Sequence, residues 1–357
     1  MNIVLENLFV KILLFIILII YLFVIKNYLF LKQINYLFYD EVCFLCALNN
    51  IACNDLSKAI TLNLNEINES FPILKITNKL SDIKTYLNRG LKEAIGNIEY
   101  EYLTQKAPLI AFCESCFDEN VISPIEYLDE HLCILSSFLF GLWSIKDNAV
   151  DFELGFLQYQ RNYGYTTHYS SNRICVTRYD CKGECSNVTF STKELNQAAI
   201  FLRNNMKIET ERIQSVNIQN HHRITIANYY IQNARNCSDL GLKITSYCSC
   251  LECLFLNDST ELSHKLSERV ALFLSKNKED RIHIFKILKQ AYSFRSKVVH
   301  GDRFKTDKIK ELTMIVQETD EICRKVMNYA FNTKEYNVFD LGRDKHEEYF
   351  IDLLMNI

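Results

Sequence analysis

Proline and glycine are scarce in this chain of 357 residues, which contains three prolines and nine glycines. This composition leaves little room for disordered linkers, because such segments are enriched in proline, glycine and polar residues. Apolar residues make up 48% of the sequence and charged residues 23%, as is typical of globular proteins. We therefore expect most of the chain to fold, and its length suits two domains better than one.

A strong overall charge is also lacking, since the formal net charge is −3. The surface as a whole therefore has no general attraction for a nucleic acid, and such binding would need a local basic patch. The sequence has one between Arg281 and Lys310, where nine Lys and Arg residues accompany two Asp residues. This stretch carries about +7 and the rest of the chain about −10.

The fourteen cysteines are spread over a long chain, which does not resemble a small disulfide-rich domain, so we expect reduced thiols. Three pairs have spacings that also suit a structural zinc ion: Cys43/Cys46, Cys113/Cys116 and Cys181/Cys185. Ordinary packed thiols and a structural zinc therefore both stay open. The sequence predicts no catalytic cofactor.

The segment 1–32 is predicted to be a membrane anchor. Residues 12–25 are uncharged and strongly apolar, and three more apolar residues precede Lys11. The run reaches the roughly 20 residues of a transmembrane helix if the flexible Lys11 side chain extends to the membrane surface. No cleavage site of small residues follows, and Lys26 and Lys32 predict that the rest of the chain is cytoplasmic, at the inner face of the membrane. A buried core helix is the alternative.

Residues 35–194 are predicted to form a mixed α/β domain. Helices are expected over 82–94 and 124–142. Between residues 152 and 191, short apolar and β-branched segments alternate with Gly, Asn and Ser, which indicates a small sheet or hairpin. No family resemblance is evident before residue 195.

Residues 195–357 are predicted to form a self-contained, all-α bundle, which makes the chain α+β overall. Apolar residues recur there at intervals of three and four, as on one face of a helix. The predicted helices begin near Ser238, after a capping box at Asp258 and Glu261, at Asp280 and near Ile309, with an earlier one from His222 to Arg235.

Arg295 and His300 stand out in the third of these helices. Arg295 lies on an apolar face, where a guanidinium needs an anionic partner or an interface. A buried salt bridge to Glu252 or Glu268 would satisfy it without any catalytic role. His300 precedes Gly301, a residue suited to the left-handed position after a helix, and a histidine there can also simply favour the helix dipole.

Arg295 and His300 lie in the last of three blocks of sequence that form a recognisable pattern together. The blocks are Leu251-Glu-Cys-Leu-Phe255, Glu261-Leu-Ser-His-Lys-Leu-Ser-Glu-Arg-Val-Ala271 and Ala291-Tyr-Ser-Phe-Arg-Ser-Lys-Val-Val-His-Gly301. In this order and spacing, over roughly residues 220–332, they resemble the Apea-like HEPN family. The HEPN signature is an arginine followed, after four to six residues, by a histidine, and Arg295 and His300 fit it. Many HEPN nucleases carry Asn, Asp or His directly after the arginine, whereas Ser296 stands here, as is usual in the Apea-like branch.

The resemblance implies a HEPN helical bundle and a metal-independent endoribonuclease of defence or toxin type that acts as a homodimer on RNA. Arg295 and His300 would be its catalytic residues. Ser296 and Lys297 could add contacts to the RNA phosphates, and an ordinary solvated surface residue is the alternative for Lys297. Residues five apart on a helix lie about 140° apart around its axis, so one helix would not aim both side chains at one phosphate, whereas two helices in a dimer could. A non-catalytic HEPN module for dimerisation or binding stays open, as does a membrane sensor whose helical half only dimerises.

Overall fold

The structure is a computed structural model that describes residues 40–62, 73–117, 123–160, 167–171, 177–209, 223–258, 260–302, 304–333 and 337–355. The expected membrane anchor at 1–32 lies outside these residues. The described chain has a mixed α+β architecture, in which an antiparallel sheet region is followed by a helical region.

The main sheet has six antiparallel strands: β1 (Asp40–Leu48), β3 (Ile60–Leu62), β4 (Leu74–Thr77), β5 (Leu109–Phe117), β6 (Gly155–Gln160) and β7 (Thr167–Ser171). Their order across the sheet is β3-β4-β5-β1-β6-β7. A separate parallel ladder joins β2 (Ile51–Ala52) to β8 (Val188–Thr189). The central strand β1 pairs along its whole length with β5 and also pairs with β6.

The sheet extends well beyond the 152–191 region in which we expected it. The expected hairpin is present as β6 and β7, but it forms one side of a sheet that begins at Asp40. The reason lies in β1, where Val42 to Leu48 are all buried because both faces of this strand are covered. A strand of this kind has a continuous apolar run and lacks the alternation that identifies a half-exposed strand.

Helices cover the two faces of the sheet. Cys43 and Leu45 face one layer, which contains α1 (Arg89–Ile95), α2 (Asn97–Glu101) and a π-helical turn (Tyr102–Lys106). Phe44 and Cys46 face the other, formed by α3 (Pro124–Ile145) and α4 (Thr192–Glu209). The helix expected over 82–94 is interrupted: a 3-10 turn spans Leu80–Ile83, and α1 starts only after Asn88, whose side chain accepts from the Leu91 N–H at 2.9 Å.

The helix α3 begins with a capping box formed by Ser123 and Glu126. Among the described residues, it is the one helix that is long and apolar enough to cross a membrane. Most of its apolar residues are buried inside the protein, where they form part of the core. We therefore describe it as a core helix.

Six helices follow α4: α5 (Arg223–Arg235), α6 (Leu240–Phe255), α7 (Leu262–Leu274), α8 (Lys278–Val299), α9 (Thr306–Asn332) and α10 (Arg343–Met355). The expectation of a C-terminal helical region is thereby confirmed. The expected capping box before α7 is not formed. Instead, Asp258 accepts from the Thr260 N–H at 3.0 Å, and Glu261, the residue before α7, has a φ of 50° and makes no side-chain cap.

The sheet region and the helical bundle share residues near position 195. Leu195 and Ala198 of α4 pack into the sheet core, whereas Phe201 of the same helix packs into the core of the bundle. Phe140 and Trp143 of α3 also lie in the bundle core. The bundle core therefore includes side chains that precede residue 195.

Candidate functional site

Arg295 lies on α8 and forms an ion pair with Glu252 of α6. Its Nη2 is 3.4 Å from Glu252 Oε2, and its Nη1 donates to the Tyr292 hydroxyl at 3.3 Å. The side chains of Arg295 and Glu252 are 25% and 20% exposed, so the pair is only partly buried. Of the two acidic partners considered for Arg295, the structure places Glu252 in contact.

Tyr292 completes this cluster. It precedes Arg295 by three positions, which puts both on the same side of α8, and the guanidinium lies 5.2 Å from the centre of the Tyr292 ring. Burial, followed by the charge of Glu252, raises the pKa of Tyr292 to about 12. The phenol therefore stays protonated near neutral pH and can hold the guanidinium in place.

The Arg295–Glu252 pair keeps unused hydrogen-bonding capacity. Arg295 Nε and Glu252 Oε1 are both buried atoms without a hydrogen-bond partner among the described residues. Both atoms are closed off from solvent, so a phosphate would contact Arg295 through the further N–H groups of its Nη atoms.

His300 is the residue that ends α8. Its backbone N–H donates to the Ser296 carbonyl at 3.1 Å, and the following Gly301 has a φ of 75°. The Asp302 N–H then donates to the Lys297 carbonyl at 2.9 Å, which closes the helix end in the arrangement known as a Schellman motif. The left-handed glycine expected from the sequence is confirmed, and the His300 side chain is exposed to solvent.

The structure does not bring Arg295 and His300 together within one chain. The Arg295 guanidinium contacts Tyr292 and Glu252, which means that it extends toward the N-terminus of α8, as helical side chains do. His300 lies five residues later, about 7.5 Å further along the axis and about 140° around it. The expectation that two helices of a dimer bring both groups to one phosphate stays a prediction.

Ser296 and Lys297 lie between these two residues. Ser296 is partly buried, and Lys297 is exposed with its Nζ 5.8 Å from the Phe294 ring centre. Several other basic residues of the 281–310 patch also reach the surface: Lys286, Lys289, Lys305, Lys308 and Lys310. Near the end of α8 in the sequence, the exposed lysines are Lys297, Lys305, Lys308 and Lys310, but Asp302 is exposed among them and Lys308 lies 2.6 Å from Glu311.

Two of the three cysteine pairs, Cys43/Cys46 and Cys181/Cys185, can be assessed, because the side chain of Cys116 lies outside the described residues. Cys43 and Cys46 are three residues apart on β1, so they point to opposite faces of the sheet and cannot share an ion. Cys181 is buried, whereas Cys185 is exposed and its thiol donates to the Arg178 carbonyl at 3.6 Å. Across the described ranges, no group of three or more His, Cys, Asp or Glu side chains could hold a metal ion.

Sequence reasoning named Glu252 as one of two partners but did not single out Tyr292. The spacing of three residues between Tyr292 and Arg295 was the available signal, because residues at that spacing are neighbours on a helix surface.

Comparison of this chain with family models, with curated proteins and with solved structures finds no match. The functional interpretation therefore depends on the three sequence blocks and on the geometry around α8.

Proposed function

We propose that this protein is a metal-independent endoribonuclease of the Apea-like HEPN type, with Arg295 and His300 as its catalytic residues. One observation supports this most directly. The guanidinium of Arg295 on α8 is held by Glu252 and Tyr292, and the same helix is followed by the exposed His300 and has the exposed Lys297 in its last turn.

The residue types suit cleavage of RNA by attack of a ribose 2′-OH on the adjacent phosphate. Imidazole can transfer a proton near neutral pH, which this reaction needs at the attacking and leaving oxygens. Guanidinium can stabilise the negative charge that develops on the phosphate oxygens. The products would carry 2′,3′-cyclic phosphate and 5′-hydroxyl ends, and no metal ion takes part.

The separation of Arg295 and His300 along and around α8 supports a homodimer as the active form. In such a dimer, the α8 helices of two protomers meet, and the two groups from both chains surround one phosphate. Ser296 and Lys297 would contact neighbouring phosphates, as hydroxyl and ammonium groups commonly do in nucleic-acid complexes.

A non-catalytic HEPN module that dimerises or binds a partner is the second candidate. The ion pair between Arg295 and Glu252 favours it, because this pair already satisfies the charge of Arg295 without RNA. In this case the polar residues of α8 would serve the interface between protomers.

We also propose a setting for this activity. The segment 1–32 would anchor the chain at the inner face of the membrane, with the described residues in the cytoplasm, where RNA is accessible. The sheet region would then receive the signal of infection or stress that activates cleavage, in keeping with a defence or toxin role.

The test is cleavage of single-stranded RNA by the full-length protein in EDTA, with the product ends analysed. Arg295→Ala and His300→Ala should each abolish detectable cleavage, since loss of either kind of group typically costs about 10² to 10⁴ in rate. The double variant should be little worse than either single one, because both groups act on one phosphate. Equal cleavage by the wild type and by folded variants would indicate a contaminating nuclease and would leave the binding module as the function.

A further inference from the structure

Basic residues form a stripe along the solvent-facing side of α8. Lys286, Lys289 and Lys297 are exposed, as is His300 directly after the helix, and the exposed Ser293 lies among them. Since successive residues of a helix are about 100° apart, these five positions fall within about 80° of arc around the axis. They extend over about 21 Å along it. We call these five residues the α8 stripe.

No acidic residue of α8 interrupts the stripe. Glu279 and Asp280 lie in the first turn of the helix, and the residues from Arg281 to His300 include no Asp or Glu. His283, beside the stripe, pairs with Glu318 of α9 at 3.2 Å. Within the described ranges, none of the three lysines of the stripe forms an ion pair. Their ammonium groups are therefore available to an anion from outside the chain.

Lysines elsewhere in the bundle differ in this respect. Lys265 pairs with Asp258 at 2.7 Å, and Lys325 pairs with Glu321 at 2.8 Å. The stripe also lies in the one stretch with a strong basic excess, in a chain whose net charge is −3. An anionic polymer would therefore be attracted to the stripe and repelled by much of the remaining surface.

The shape of the stripe suits a strand of phosphates better than a compact anion. Lys286 and Lys297 are about 16 Å apart along the helix axis, so they cannot converge on one small ion. A nucleic-acid backbone has a negative charge at every nucleotide, and lysine ammonium and serine hydroxyl groups are common donors to its oxygens. Contacts of this kind fix the position of a strand and do not read its bases.

We propose that the α8 stripe binds the phosphate backbone of single-stranded RNA, without preference for sequence, and leads the strand to His300. Binding of the backbone does not require cleavage, whereas the purpose of leading the strand to His300 rests on the proposed function. Arg295 lies about 140° around the helix from His300, outside the stripe. A strand bound to the stripe therefore meets the imidazole of one protomer, and the guanidinium would come from the second protomer of the proposed homodimer.

The test measures binding of a fluorescent single-stranded RNA whose riboses are all 2′-O-methylated, so that the proposed cleavage cannot occur. The full-length protein, in a non-ionic detergent, is titrated at several salt concentrations, with two probes of different sequence. The variant with Lys286→Gln, Lys289→Gln and Lys297→Gln should bind both probes more weakly by roughly 10² at about 0.1 M salt. Its plot of log affinity against log salt should be shallower by about 2, because each phosphate contact on a single strand contributes about 0.7 to the slope.

The matched control carries Lys92→Gln, Lys325→Gln and Lys345→Gln, which remove the same charge from exposed positions on three other helices. It should keep the affinity and the salt slope of the wild type. Failure of the wild type to bind either probe, equal losses in the two triple variants, or a clear preference for one probe sequence would each overturn the proposal. Binding that depends on the stripe, without cleavage of unmodified RNA, would uphold the stripe and remove the nuclease.

Discussion

The Trp143 indole N–H of α3 donates to Asp320 Oδ1 of α9 at 3.0 Å, and this bond joins the sheet region to the helical bundle. The same carboxylate oxygen accepts from the Tyr247 hydroxyl at 2.8 Å, and the other oxygen contacts Arg324. Asp320 is buried, and burial raises the pKa of its carboxyl, whereas Arg324 and the bonds from Tyr247 and Trp143 lower that pKa. The two regions are therefore joined by a buried polar network as well as by apolar packing.

Asp320→Ala should lower the free energy of unfolding by about 3 to 5 kcal/mol, since it leaves Arg324, Trp143 and Tyr247 without their shared acceptor. Chemical denaturation, followed by the fluorescence of Trp143, measures this loss. Glu321→Ala is the control, because Glu321 is exposed and pairs with Lys325 at the surface, where ion pairs contribute about 0 to 1 kcal/mol. Equal effects of the two substitutions would show that the buried network does not hold the regions together.

The pH dependence of stability provides a second prediction, through Glu347 on α10. Arg269 of α7 is the main cause that lowers the pKa of Glu347 from 4.5 to about 2, and Asn257 and Lys265 lower it further. Lys265 Nζ lies 3.1 Å from Glu347 Oε1. Because the pKa is lower in the folded state, the stabilisation is present above about pH 4.5 and is lost as the pH falls toward 2.

Glu347→Gln should therefore reduce stability at neutral pH and flatten the decline between about pH 5 and pH 2. The measurement is the denaturation midpoint as a function of pH. Glu348→Gln changes an exposed neighbour and should keep the wild-type profile. A profile for Glu347→Gln as steep as that of the wild type would contradict the assignment of this acid sensitivity to Glu347.

Local sequence patterns predicted the helical region well because its helices are amphipathic. The spacing of Leu240, Ile244, Tyr247, Leu251 and Leu254 predicts one apolar helix face. Four of them are buried, and Leu240 is partly buried against the same core. The end of α8 was also predictable, since Gly301 permits the left-handed backbone that closes the helix. The extent of the sheet was not, because β1 and β5 are covered on both faces and their sequences do not alternate.

The sequence limited the acidic partner of Arg295 to Glu252 or Glu268 but did not decide between them. Glu252 and Glu268 lie on different helices, and the choice between them depends on how α6 and α7 pack against α8. The spacing of residues along one helix gives no information about how separate helices pack against each other.

A third prediction concerns the segment 1–32, which lies outside the described residues. Deleting it should move the protein from the membrane fraction to the soluble fraction without unfolding the rest, because the described residues have large apolar cores of their own. Fractionation of cell lysates, combined with circular dichroism of the truncated protein, measures both. If the truncated chain aggregates while the intact chain is soluble, this segment is a core helix instead.

The last prediction tests Glu252 as a positioning residue for Arg295. Glu252 contacts one nitrogen of the guanidinium and Tyr292 another, so the remaining N–H groups stay available for a phosphate. Glu252→Ala should release the guanidinium from this geometry and lower the rate of RNA cleavage by up to about 10², the typical cost of misplacing a reacting group by about 1 Å. Glu268→Ala, which removes the other acidic residue considered for this role, is the matched control and should retain cleavage.

RNA binding and the denaturation midpoint are measured on the same variants. If Glu252 positions Arg295, the cleavage rate falls while RNA binding and folding stay nearly unchanged. A faster rate for Glu252→Ala would instead mean that Glu252 competes with the phosphate for Arg295, and the ion pair would then be an inhibitory contact that RNA must break.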